Sequence, residues 1–211
     1  MNKSNLLALL LVIALFITTY KLVEMKNELK EVSQSATTKK EAVLSVIQSR
    51  KSVRNYTDKL VSKEDLNTIM RAGMAAPSGH DTRPWQFIAI TDRGTMLELR
   101  KELEWARGLD GSPAAIVVCG DMSKVDKRNP EFWITDTSAA TQNILLAIEA
   151  MGLGGVWSTL YPGDERMQHA RKILNLPDHI MPMCVIPLGY PTGVEKAKDK
   201  YNADDIHWEK W

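Results

Sequence analysis

Residues 75–87 read AAPSGHDTRPWQF, and they join an amphipathic helical pattern to an apolar strand pattern. A connection that only turns needs a single Gly or Pro. This one has Pro77 and Pro84 to stiffen it and Gly79 for close backbone approach. Ser78, Asp81 and Arg83 add hydrogen-bonding groups of every kind, and Trp85 and Phe87 lead into the strand. A stiff, polar loop of this sort suits a planar polar ligand. An ordinary loop entering a buried strand could carry the same residues.

Working outward, Ser62 can cap a helix that places Leu66, Ile69, Met70 and Gly73 at helical spacing before the loop. Strand-like residues 85–91 follow it, then a helix over 96–105 and a strand over 114–120. Residues 121–133 are polar and irregular, as a cover over a site would be. The clearest helix is 136–151, whose stripe of Ala139, Ala140, Asn143, Ile144, Ala147, Ile148 and Met151 permits close helix packing. A short helix over 164–174 and a strand over 183–189 complete the alternation, which indicates layered helices and sheet.

Two further stretches carry candidate chemistry. Arg50-Lys51-Ser52-Val53-Arg54 follows a helix that a Thr38–Glu41 capping box would start. Cations there favour the helix dipole, and two guanidiniums around a hydroxyl also make a phosphate cradle. Gly152-Leu153-Gly154-Gly155-Val156-Trp157 lies between a helix and a strand, the reverse of a dinucleotide-binding fingerprint. Gly152 serves as a helix stop. Gly154 and Gly155 exceed that need and would let backbone approach a flat ligand.

Composition narrows the rest. The 211 residues carry net charge +1, which argues against a nucleic-acid binder. Cys119 and Cys184 fall in apolar strands and read as buried thiols. The four histidines show no metal-ligand spacing. Residues 6–20, LLALLLVIALFITTY, are uncharged. Fifteen helical residues span roughly 22 Å against a hydrocarbon core of about 30 Å, and continuing through Val23 nearly closes the gap. The reading is an N-terminal membrane anchor over 1–23, a polar spacer over 24–37 and one domain over 38–211. Lys21, Lys26 and Lys30 lean the domain to the cytoplasmic side. The alternative is export after signal cleavage, although Ser33-Gln34-Ser35 is distant for a cleavage site.

The cradle, Ala76-Pro77-Ser78 with Pro84-Trp85, the glycine turn, Gly189-Tyr190-Pro191 and the closing His207-Trp208-Glu209-Lys210-Trp211 occur in this order. Together they resemble the nitroreductase family of FMN-dependent oxidoreductases over about 38–211. The resemblance implies an α+β fold: a central mixed β-sheet flanked by helices, with the C-terminal tail packing on the partner of a homodimer. It implies FMN at the dimer interface, reduced by NAD(P)H and reoxidised by a small electron-poor acceptor such as a nitroaromatic or quinone, in ping-pong order. The cofactor then carries the chemistry, so no catalytic side chain and no metal is expected.

Transferred by position, Arg50 and Ser52 match the family's phosphate contacts, with Lys51 and Arg54 beside them. Lys200 stands where the family usually has an Arg, and it keeps the charge but loses the fork. Pro77 and Ser78 match the ring-edge loop, and Gly154 and Gly155 the segment facing the N5/O4 side. Asp81 departs from the family's common Asn, because a carboxylate only accepts hydrogen bonds. Arg83 could supply the missing donor, making Asp81 and Arg83 a pair on the pyrimidine edge. A flavin-binding module without turnover, acting as sensor or partner-binding protein, would use the same positions. Bleaching of bound FMN by reduced nicotinamide separates the two.

Overall fold

The structure is a computed structural model that describes residues 3–211, with side chains described at 13, 15–29 and 38–211. Two compact units emerge, residues 1–45 and residues 46–211. Helix α1 (Lys3–Ser49) contains no Gly or Pro, so nothing interrupts it. It runs through Thr38, and the expected capping box there starts no helix. Local capping preference yields to a helix that is already propagating, where each added residue gains a hydrogen bond.

The membrane anchor expected over 1–23 is corrected. Among the described residues no helix is long and apolar enough to cross a membrane. The side chains of residues 1–12 and 14 lie outside the described residues. Beyond Tyr20, helix α1 continues through the charged Lys21, Glu24, Lys26 and Glu28, which ends the apolar run after fifteen residues. The cytoplasmic-side assignment rested on that anchor and goes with it.

The second unit is built around strand β2 (Ala114–Asp121), every residue of which is buried. Successive strand residues point to opposite faces, and a strand buried on both needs a helical layer on each. Ile116 and Val118 pack with Leu66 and Ile69 of α2 (Lys63–Met74) and with Ile144 and Ile148 of α4 (Phe132–Ala150). Ala115, Val117 and Cys119 pack with Met96 and Leu99 of α3 (Arg93–Lys101) and with Met167 and Ala170 of α5 (Asp164–Leu174). Ser62 caps α2 as expected, its Oγ accepting from the Asp65 amide at 2.9 Å. Helix α3 starts earlier than periodicity alone indicates, because Asp92 caps it through the Thr95 amide.

The sheet order is β1 (Trp85–Ile90), β2, β5 (Ile180–Gly189) and β3 (Gly154–Gly155), with β4 (Ser158–Thr159) also on β5. All these ladders are antiparallel. The parallel component is the bridge Ser52↔Gly155. This α+β arrangement places the cradle residues at the β3 margin of the sheet.

Candidate functional site

The segment after α1 is extended and tied down on both sides. The Val53 amide donates to the Gly155 carbonyl at 3.1 Å, and its side chain is fully buried. The Arg54 and Asn55 amides and the Asn55 side-chain amide all donate to Glu195 Oε1, at 2.8, 3.1 and 2.9 Å. Thr57 donates to the Tyr190 carbonyl at 2.8 Å, and Thr192 to the Asn55 carbonyl at 3.1 Å. The Tyr56 hydroxyl lies 2.6 Å from the Val53 carbonyl and 2.9 Å from that of Pro187, and burial raises its pKa, keeping the proton available to donate.

This fixed segment walls a cavity of about 380 Å³ that gathers Arg50, Lys51, Ser52, Arg54 and Lys200. Five of the residues singled out from sequence thus meet, although Lys200 comes from the opposite end of the chain. Lys196 and Lys198 join them and were missed. Their signal was the alternation Lys196, Lys198, Lys200, since residues two apart on an extended segment share a side. Lys51 is already matched in charge, its Nζ lying 3.0 Å from Glu149 Oε1.

Glu195 is the anionic member of this set. Burial raises its carboxyl, but the Arg54 amide, the Asn55 side chain and the Asn55 amide outweigh that and hold it below the usual range. Its Oε2 is buried with no hydrogen-bond partner among the described residues. The donor set as a whole fits a phosphate dianion: guanidinium forks, a hydroxyl and compact ammonium groups.

The glycine pair has a packing reason as well as a ligand one. A Cβ on Gly154 would sit 2.5–2.7 Å from three side-chain atoms of Val53. Gly152 has φ of +71°, the left-handed helix stop expected. Gly155 accepts from Val53 and bridges to Ser52, which joins the glycine turn directly to the cradle.

The loop of residues 77–83 forms a second group, and none of its residues lines the cradle cavity. It holds left-handed backbone at His80, Asp81 and Arg83, with φ of 55°, 55° and 47°. Non-glycine residues there cost about 1–3 kcal/mol each and persist where surrounding contacts impose them. Ser78 Oγ accepts from the Arg83 amide at 3.1 Å, and the Gly79 amide donates to Asp136 Oδ1 at 3.0 Å. Asp136 is buried, and its Oδ2 has no hydrogen-bond partner among the described residues. His80 stacks on Phe132 with centroids 6.0 Å apart and lies 3.8 Å from the Asp126 carboxylate. The loop is thereby held against the irregular stretch read as a cover.

Asp81 and Arg83 form an ion pair. Arg83 Nε donates to Oδ1 at 2.7 Å and a terminal nitrogen to Oδ2 at 2.6 Å, both side chains being exposed. That fork lowers the Asp81 carboxyl below the usual range and raises the Arg83 guanidinium. Pro77 opens the loop and is exposed, while Ala76 before it is packed with Trp85 and Ala140.

The profile of the Nitroreductase family matches residues 47–107 and 93–190. The chain belongs to the nitroreductase family. A candidate NADH dehydrogenase/NAD(P)H nitroreductase from Archaeoglobus fulgidus is 41% identical over 174 residues, which make up 81% of this chain and 99% of that protein. Among solved structures, a candidate NADH dehydrogenase/NAD(P)H nitroreductase from Parabacteroides distasonis is 50% identical, covering 80% of this chain and 98% of its own, with a TM-score of 0.76. A candidate nitroreductase from Desulfovibrio desulfuricans, solved in complex with FMN, is 28% identical with a TM-score of 0.68, covering 80% of this chain and 97% of its own. Nitroreductase-family membership accounts for the antiparallel sheet between helical layers.

Proposed function

We propose that this FMN-dependent oxidoreductase transfers a hydride from NAD(P)H to a small electron-poor acceptor, a nitroaromatic or quinone, in ping-pong order. The observation that carries the reading is the convergence of Arg50, Ser52, Arg54 and Lys200 on one cavity in a nitroreductase-family chain. When bound, FMN would supply the two-electron hydride chemistry.

The protein's part is binding and electrostatics. Arg50, Ser52, Arg54 and Lys200 hold the phosphate, Lys198 adds charge, and Lys51 is kept in place by Glu149. Gly154 and Gly155 present backbone to the ring on the N5/O4 side. Pro77, Ser78, Asp81 and Arg83 form the pyrimidine edge, where the Arg83 donor offsets a carboxylate that would otherwise oppose negative charge on the ring. A homodimer completes the site, which agrees with an edge loop that lines no part of its own chain's cradle cavity. It would also cover Leu60, Met74, Trp208 and Trp211, exposed at 78%, 56%, 83% and 100%.

The test is the visible spectrum of the purified chain and its bleaching by NADH or NADPH without oxygen, followed by recovery on adding a quinone. A protein that stays colourless after incubation with FMN overturns the proposal.

A further inference from the structure

Beside the cradle lies a second cavity of about 630 Å³, lined by Arg54, Asn55, Tyr56, Arg107, Asp110 and Thr192 together with Gly111. Arg54 lines both cavities. Among the described residues, neither the Arg54 nor the Arg107 guanidinium donates a hydrogen bond or forms an ion pair. The one carboxylate on the wall, Asp110, is bridged by Arg100 at 3.1 Å. Its charge is thereby met from outside the cavity, and among the described residues Arg54 and Arg107 line the cavity without an ion pair.

The walls are rigid. Arg107 sits on the short turn Arg107–Asp110, whose Leu109 and Asp110 carbonyls both accept from Arg93. The turn packs on the sheet, since a Cβ on Gly108 would lie 3.1 Å from Pro187 of β5. Arg54 and Asn55 are anchored through their amides to Glu195, and Thr192 through its amide to Asn55. The Thr192 hydroxyl makes only a long contact of 3.5 Å to the Asn55 carbonyl, which leaves it free to turn toward a ligand. Two guanidiniums and a hydroxyl on the wall of one cavity suit a phosphate monoester dianion. Arg54 borders both cavities, and with five N–H donors it can contribute to the cofactor phosphate and to a second anion at once.

We infer that Arg54, Arg107 and Thr192 form a second phosphate-monoester site next to the cofactor cradle. Resting on the proposed reductase reading, the ligand in turnover is the 2′-phosphate of NADPH, which would make Arg107 a determinant of NADPH over NADH. The same groups would also accept free phosphate, so the experiment has an arm for each source.

In the full-length, FMN-loaded protein, Arg107→Gln is expected to raise KM for NADPH roughly tenfold, the loss of one charge-assisted contact. KM for NADH, kcat and FMN affinity should stay unchanged, and Arg107→Lys should recover part of the loss. Adenosine 2′-monophosphate should compete with NADPH in the wild type and less well in the variant, whereas the 5′-monophosphate should not discriminate between them. Equal effects on both nucleotides, or none, overturn the NADPH assignment, as does a fall in FMN affinity. Calorimetry with inorganic phosphate reads the site itself. Binding weakened by Arg107→Gln supports an anion site, and identical binding in both proteins overturns it. If the wild type turns over neither nucleotide, the reductase reading has failed, and the phosphate titration still decides this one.

Discussion

Arg83 holds Asp81 in a two-point fork on the surface of the loop. The fork lowers the Asp81 carboxyl, so its contribution is present above the ordinary carboxylate range and disappears as pH falls through the depressed folded value. Both side chains are largely in water, so the change belongs in a site-resolved titration rather than in a melting curve. Arg83→Ala should return the Asp81 carboxyl upward, as read by NMR. It should also lower the midpoint potential of bound FMN and weaken FMN binding, because an unmatched carboxylate would face the ring. A potential and an affinity unchanged from wild type would remove the pair from the site. Asp126 makes a parallel case: Arg128 holds its carboxyl down to about 2 in the stretch that meets His80. The Asp81–Arg83 contact was legible because the two stand two residues apart, whereas the Asp126–Arg128 pair went unread inside a stretch taken only as a cover. Glu195 was not legible either, since what defines it is three amide hydrogens from residues more than a hundred positions away.

At the level of elements, the cradle depends on how closely β3 approaches the segment around Val53. Gly154→Ala places a methyl 2.5–2.7 Å from Val53 in a packed region, and overpacking of this kind costs about 1–3 kcal/mol. The expected result is a lower urea midpoint at unchanged slope, together with weaker FMN binding, because the Ser52↔Gly155 bridge must shift. Adding Val53→Ala should recover part of both losses, a coupling that a double-mutant cycle measures directly. Additive effects would mean that the two residues do not press on one another. Strand β2 and helix α5 could be read from the chain because their apolar patterns match the faces they bury. The starts of α3 and α4 could not, as the Asp92 cap lies outside the apolar period, and Phe132 and Trp133 of α4 sat in a stretch whose polarity masked them. The glycine pair was noticed for its ligand-facing possibilities, yet its tightest contact is with the branched Val53 side chain.

For the whole molecule, residues 46–211 hold the sheet, both helical layers and every residue assigned to the cofactor. A chain lacking residues 1–37 should therefore keep the melting temperature and the FMN affinity of the full protein. A loss of either would show that the leader contributes to the fold. Light scattering on the same sample should give two protomers per particle, covering the exposed Leu60 and Trp208. The leader was misread because the span was extended through Val23 past the charged Lys21, although the apolar run itself ends at Tyr20 and is too short to cross. One feature of the cradle also bears on how the protein is made. Arg54 donates to Glu195 across 141 residues of sequence, so the phosphate site closes a loop almost as long as the folded unit. Contacts of that separation form only after the intervening chain is available. The ribosome must release the last residues before the site exists, which makes cofactor loading a step that follows synthesis, and a chain truncated before Glu195 a sheet without its flavin.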